Sequence, residues 1–81
     1  MKKEEIKKKV RDVFIEIFPE IKKVKFDFYK KQSEFENWDS FNHMMLVSKA
    51  EEEFRIKLKL EDIINIDSPA GFVSLVVKKL C

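Results

Sequence analysis

The sequence of residues 39–54 is DSFNHMMLVSKAEEEF, and its pattern predicts a helix. Asp39 and Ser40 are both residue types that cap a helix N-terminus, and an aspartate there also complements the helix dipole. At about 100° of rotation per residue, one side of this helix gathers the residues that we expect to face the core. Those residues are His43, Leu46, Val47, Ala50 and Phe54. We expect the helix to end near Phe54 or Arg55.

The flanking segments predict further helices. Apolar residues recur at helical spacing over residues 6–18, and Pro19 is expected to end that helix because the residue before a proline disfavours helical backbone. Residues 56–67 predict one or two helical turns. Ser68 and Pro69 then form a strong helix start, with serine as the N-cap and proline at the first helical position. The last helix follows from there.

Residues 19–38 are the least regular part of the sequence. Val24, Phe26 and Phe28 alternate with polar residues, which taken alone indicates a strand. No second strand is apparent, and a lone strand is not stable. We therefore predict a long ordered loop whose aromatic side chains fill the core. These side chains are Phe26, Phe28, Phe35 and Trp38.

The predicted fold class is therefore all-α, a small bundle of three main helices, one short helix and a long first loop. The chain has 81 residues, so residues 1–81 are expected to form a single domain. A chain of this length excludes a two-domain enzyme. Its hydrophobic share of 44% is too high for a disordered chain.

The single cysteine, Cys81, excludes an internal disulfide, and the sequence is typical of a reduced, intracellular protein. We expect Cys81 to be an exposed thiol without function. The N-terminus lacks the apolar core of a signal peptide, and no apolar run approaches the roughly 20 residues that span a bilayer. We therefore expect a cytoplasmic location and no membrane insertion.

The charges are divided along the chain. Residues 1–33 hold eleven Lys or Arg against six Asp or Glu, whereas residues 34–67 hold four against nine. A basic segment can bind nucleic acid through its phosphates. We expect no nucleic-acid partner, however, because no stacking or base-reading residues are evident among these lysines. The acidic middle of the chain is where we place the function.

Catalytic and metal sites are not indicated. One histidine and one terminal cysteine do not supply a metal-ligand cluster, and the only glycine, Gly71, cannot build a phosphate-binding loop. Ser40 and His43 could suggest a nucleophile and its base. We reject this pair because His43 is predicted to face the core, with nothing placed to orient its far nitrogen. The chain is therefore not expected to be an enzyme.

Three features of residues 38–54 occur together: an Asp-Ser-hydrophobic triplet, an apolar stripe and a Glu-Glu-Glu-Phe ending. In these features the segment resembles the second helix of acyl carrier proteins. Trp38 and the pair Asn42-His43 resemble the stand-alone carriers of bacterial biosynthetic operons. The triplet alone is common by chance. It becomes fairly specific when joined to that ending at the right distance, in a chain of this length and helix order.

The resemblance implies a carrier rather than an enzyme. In that family the serine of the triplet, which matches Ser40, is modified by 4′-phosphopantetheine from coenzyme A in a reaction of a separate phosphopantetheinyl transferase. Asp39 matches the aspartate beside it. The arm holds an acyl or aminoacyl group as a thioester, so the implied partners include an activating ligase and a downstream synthase or transferase. The phosphodiester would lie at a helix N-terminus, where an anion is favoured.

The resemblance also implies a partner-binding face on the second helix of a monomeric carrier. The matching residues are Phe41, Met44, Met45, Glu51 and Glu52. From the helical pattern we expect Met45 on the outer face and Phe41 and Met44 at its border. Asn42 and Met45 replace acids that fatty-acid carriers often have, which favours a dedicated partner in a specialised pathway. The alternative is an unmodified helical protein–protein interaction module of the same fold.

Overall fold

The structure, a computed structural model, describes residues 2–23 and 26–80. Val24 of the alternating segment and the terminal thiol of Cys81 lie outside the described residues. The helices are α1 (Lys3–Ile17), α2 (Ser40–Phe54), α3 (Leu60–Ile64) and α4 (Pro69–Leu80). The described residues contain no strand, which confirms the prediction of a small all-helical bundle with three main helices and one short helix. Two short 3₁₀ helices, Pro19–Lys23 and Gln32–Glu34, lie in the predicted first loop.

Helices α1 and α2 pack side by side and run antiparallel. Lys9 pairs with Glu53 at 3.0 Å between Nζ and Oε1, and Lys49 pairs with Glu16 at 2.8 Å. Because the residue numbers rise along one helix as they fall along the other, these two pairs define the direction of the packing. Exposed pairs of this kind contribute little to stability. They nevertheless show the register of the packing, which places the start of α2 near the end of α1.

The core is an aromatic cluster around Phe14 of α1, which is fully buried. Its ring centroid lies 5.3–6.2 Å from the centroids of five other aromatic rings. The five are Phe18, Phe26, Phe35, Trp38 and Phe72. Three of them come from the first loop, which confirms the prediction that loop aromatics fill the core.

The segment with alternating aromatics forms a turn in its described part. The carboxylate of Asp27 accepts a hydrogen bond from the Tyr29 N–H at 2.9 Å, and the Asp27 carbonyl accepts one from the Lys30 N–H at 3.3 Å. Local bonds of this kind offer the backbone an alternative to a sheet ladder. Phe26 and Phe28 are half-buried against the core as a result.

Helix α4 begins as predicted. The Ser68 hydroxyl accepts a hydrogen bond from the Gly71 N–H at 3.0 Å, and Pro69 takes the first helical position. Short α3 is joined to α4 by an ion pair between Lys79 Nζ and Asp62 Oδ2 at 2.9 Å. None of the described helices combines the length and apolar composition needed to cross a bilayer.

The Lys79–Asp62 pair predicts a loss of stability in acid. The Lys79 ammonium and the Lys59 N–H hold the pKa of Asp62 below its ordinary value. A carboxyl group whose pKa is lower in the folded chain stabilises the fold above its unfolded pKa of about 3.9, and this contribution is lost as the pH falls through the folded pKa. We therefore expect the melting temperature of wild type to fall more steeply below about pH 4 than that of Asp62→Asn.

The matched control for this titration is Glu61→Gln, which changes the exposed neighbouring acid of α3. Its melting temperature should follow the wild-type pH dependence. Equal slopes for wild type and Asp62→Asn would show that the ion pair does not stabilise the fold.

Candidate functional site

Ser40 is the first residue of α2, and its side chain is exposed. Asp39 precedes it in extended backbone, with φ −96° and ψ −176°, and its carboxylate accepts a hydrogen bond from the Asn42 N–H at 2.8 Å. Both residues are suitable caps by type, and the structure assigns the cap to Asp39. The serine hydroxyl therefore lies in solvent at the start of a 15-residue helix.

The backbone at this position favours a negative group. The first N–H groups of a helix have no partner within it, and the helix dipole is positive at this end. Within residues 26–80 the N–H groups of Ser40 and Phe41 make no hydrogen bond, whereas the Asn42 N–H is taken by Asp39. Two free donors thus lie beside the Ser40 hydroxyl.

The chain ahead of Ser40 is held by amide side chains. The Asn42 side chain donates to the Asn37 carbonyl at 2.7 Å, and the Asn37 side chain donates to Glu20 at 3.0 Å. The Gln32 side chain donates to the Trp38 carbonyl at 3.1 Å. Asn42 therefore holds the segment that leads into α2. Fatty-acid carriers often have an acid where this chain has Asn42.

His43 is bonded at both ring nitrogens. Its Nδ1 lies 2.9 Å from the Trp38 Nε1 donor, and its Nε2 lies 2.7 Å from the Ile63 carbonyl oxygen. The expectation that nothing orients the far nitrogen is therefore wrong, because the α3 backbone does so. With both nitrogens engaged, His43 has no free nitrogen to accept a proton from Ser40.

An apolar groove of about 330 Å³ lies beside Ser40, between α2 and α3. Its lining includes His43 and Met44 of α2 and Leu60, Ile63 and Ile64 of α3. Leu60 is 75% exposed and Ile64 71% exposed. The sequence interpretation missed these two residues as part of a surface. Their i, i+4 spacing in the short helix, with Ile63 turned inward, is the signal that could have identified them.

The apolar residues of α2 differ from the prediction in how far their side chains are exposed. Phe41 is 72% exposed and Met44 52% exposed, whereas Met45 is 38% exposed. Met45 is exposed, as expected for the outer face, but Phe41 and Met44 are more exposed than Met45, so the expectation that these two lie at the border is wrong. The largest apolar surface of α2 therefore lies next to Ser40 and continues towards Leu60 and Ile64.

The acids at the end of α2 have different roles. The Glu51 carboxylate accepts a hydrogen bond from the Leu58 N–H at 2.9 Å and so holds the connection to α3. Glu52 is exposed. Lys49, a basic residue of the same helix, donates a hydrogen bond to Glu16 of α1. This bond raises the pKa of Lys49 and compensates its positive charge. Glu52 is thus the acid of the predicted partner face that is displayed to solvent.

A second pocket, of about 190 Å³, brings aromatic side chains to the lysines of α1. Lys3, Lys7, Phe28 and Tyr29 line it, and the Lys7 ammonium lies 5.3 Å from the centroid of the Phe28 ring. The expectation that no stacking residue accompanies the lysines of this segment is therefore wrong for Lys3 and Lys7. The described residues include no group of three or more His, Cys, Asp or Glu placed to hold a metal ion.

Comparisons of the chain with models of known protein families, with curated proteins and with solved structures found no match.

Proposed function

We propose that this protein is a carrier that holds acyl or aminoacyl groups on a 4′-phosphopantetheine arm attached to Ser40. The observation that carries the proposal is an exposed serine at the first position of a long helix, directly after a capping aspartate. The resemblance of residues 39–54 to the second helix of acyl carrier proteins supports attachment at the same serine. An acyl-carrier-like arrangement of the four helices is part of this proposal.

The residues around Ser40 fit a phosphodiester. Its negative charge would meet two free backbone donors and the positive end of the α2 dipole. The one adjacent carboxylate, that of Asp39, already accepts a hydrogen bond from Asn42. When bound, the arm supplies a thiol that forms a thioester with the cargo. The chain needs no base of its own for the attachment, because the phosphopantetheinyl transferase performs that reaction.

The partner face in this proposal is the exposed side of α2 next to Ser40. Phe41 and Met44 supply apolar contact area, Met45 lies at its edge, and Glu52 supplies an exposed negative charge. Weak contacts between such charges and basic partner surfaces give fast association, which suits a carrier that visits several enzymes. The partners are an acyl- or aminoacyl-activating ligase and a downstream synthase or transferase. The carrier acts in the cytoplasm as a monomer.

The alternative is an unmodified helical interaction module. The exposed apolar residues favour it, because Phe41, Met44, Leu60 and Ile64 would bind a partner whether or not Ser40 is modified. The two functions differ in one measurable respect, which is covalent attachment to the serine.

The test is an intact-mass measurement. The wild-type protein is incubated with coenzyme A, Mg²⁺ and a phosphopantetheinyl transferase of broad specificity. The carrier function predicts the added mass of one phosphopantetheinyl group and one new reactive thiol. Unchanged mass with several transferases would refute the carrier function and favour the interaction module.

A further inference from the structure

The bonding of His43 defines its tautomer. The indole N–H of Trp38 can only donate, so Nδ1 of His43 must accept this bond. The ring proton is therefore on Nε2, which donates to the Ile63 carbonyl oxygen 2.7 Å away. One side chain thus joins the residue before the α2 cap to the backbone of α3.

The two ends of this connection differ in how firmly they are held. Trp38 is buried, and its ring centroid lies 5.3 Å from that of Phe14 in an edge-to-face arrangement within the core. Helix α3 has five residues, none of them fully buried. A helix of this length is not stable alone and depends on contacts with the rest of the protein. The described side-chain bonds that hold α3 to other helices are the His43–Ile63 bond and the Asp62–Lys79 pair.

The side chain of His43 borders both the groove beside Ser40 and the aromatic core. His43 lines the groove and also contacts Trp38, so it separates the groove from the aromatic core. Leu46, about one turn further along α2, is fully buried in the core. The groove volume of about 330 Å³ is at the lower end of the roughly 300–1,000 Å³ that is usual for small-ligand sites.

Apart from Ser40, which would carry the arm, the polar side chains that line the groove already make hydrogen bonds. Both nitrogens of His43 are bonded, and the Gln32 amide donates to the Trp38 carbonyl. The remaining surface is largely the side chains of Met44, Leu60 and Ile64. An apolar group fits such a surface because it leaves no buried polar atom without a partner.

We infer that His43 is a positioning residue that holds α3 against Trp38 and confines apolar cargo to the groove, so that the cargo stays out of the core. This inference rests on the proposed function, since the cargo reaches the groove from an arm on Ser40. A longer chain can continue inward only by displacing His43. Displacement leaves the Trp38 N–H and the Ile63 carbonyl without partners, which disfavours entry.

The first test uses the unmodified protein and measures hydrogen exchange at the backbone amides of Ile63, Asn65 and Ile66. His43→Ala should exchange about tenfold faster at these sites, as expected for the loss of one well-bonded side chain. His43→Gln offers both a donor and an acceptor and should restore most of the protection. Trp38→Phe removes one of the two bonds and should give an intermediate rate. Unchanged exchange in all three variants would overturn the role of His43.

The second test loads the arm directly, using butanoyl-coenzyme A or decanoyl-coenzyme A with the transferase. In wild type both cargoes should shift the amide resonances of Met44, Leu60 and Ile64 and leave that of Leu46 unchanged. In His43→Ala the decanoyl cargo alone should also shift Leu46, and His43→Gln should suppress this shift.

The outcomes separate the two proposals. A decanoyl group that shifts Leu46 equally in wild type and in His43→Ala would overturn the confinement of cargo to the groove and leave the carrier function intact. A wild-type protein that gains no mass would overturn the carrier function and the confinement of cargo together. In that case the exchange rates would still decide whether His43 holds α3.

Discussion

The Ser40→Ala variant is expected to gain no mass when it is incubated with coenzyme A, Mg²⁺ and a phosphopantetheinyl transferase, whereas wild type gains one phosphopantetheinyl group. The reason is that attachment requires a hydroxyl that the transferase can reach, and that of Ser40 is exposed at the first position of α2. The effect should be complete, because alanine retains the helix start and removes only the oxygen atom that would form the phosphodiester.

The matched control is Ser48→Ala, which changes another exposed serine of the same helix. It should gain the same mass as wild type, because Ser48 lies in the middle of α2, away from the free N–H groups at its start. The free energy of unfolding of both variants should lie within about 0.5 kcal/mol of the wild-type value, as is usual for surface substitutions. Mass gain in Ser40→Ala, or its loss in Ser48→Ala, would place the attachment at another residue.

The elements of the fold could be predicted from the sequence because each has a local signal. Asp39 caps α2, Pro19 follows the end of α1, and the Ser68-Pro69 pair starts α4, all within one residue of the expected positions. The two short 3₁₀ helices were not predicted. They carry no periodic pattern, and their turns depend on contacts with distant residues, such as the bond from the Gln32 N–H to the Asp67 carbonyl.

The candidate site could be predicted only in part. The position of Ser40 at the helix start follows from the cap type, which is a local property. The bonds of His43 join residues 5 and 20 positions away, so no pattern within one helix indicates them. The exposure of Phe41 and Met44 depends on where α3 lies, and the role of Glu51 depends on the path of the chain to Leu58. These features arise from tertiary contacts, which leave no local signal in the sequence.

The largest loss of stability is expected for Phe14→Ala, about 3–5 kcal/mol in the free energy of unfolding. Phe14 is fully buried, and five aromatic rings lie with their centroids within 6.2 Å of its own. The substitution removes the ring at the centre of the cluster and leaves a cavity among stiff rings that cannot collapse to fill it. A domain of this length is stable by only roughly 4–12 kcal/mol, so the variant should lie close to unfolding.

Urea denaturation followed by Trp38 fluorescence measures this effect, because Trp38 packs edge-to-face on Phe14. Phe41→Ala is the matched control, since it makes the same substitution at a side chain that is 72% exposed, and its midpoint should change little. Equal midpoints for the two variants would show that Phe14 is not the centre of the core. A smaller loss of stability in Phe14→Leu than in Phe14→Ala would show that the effect depends on the volume that the side chain fills in the core. Because Trp38 also bonds His43, Phe14→Ala should speed hydrogen exchange in α3 as well, even where the rest of the protein remains folded.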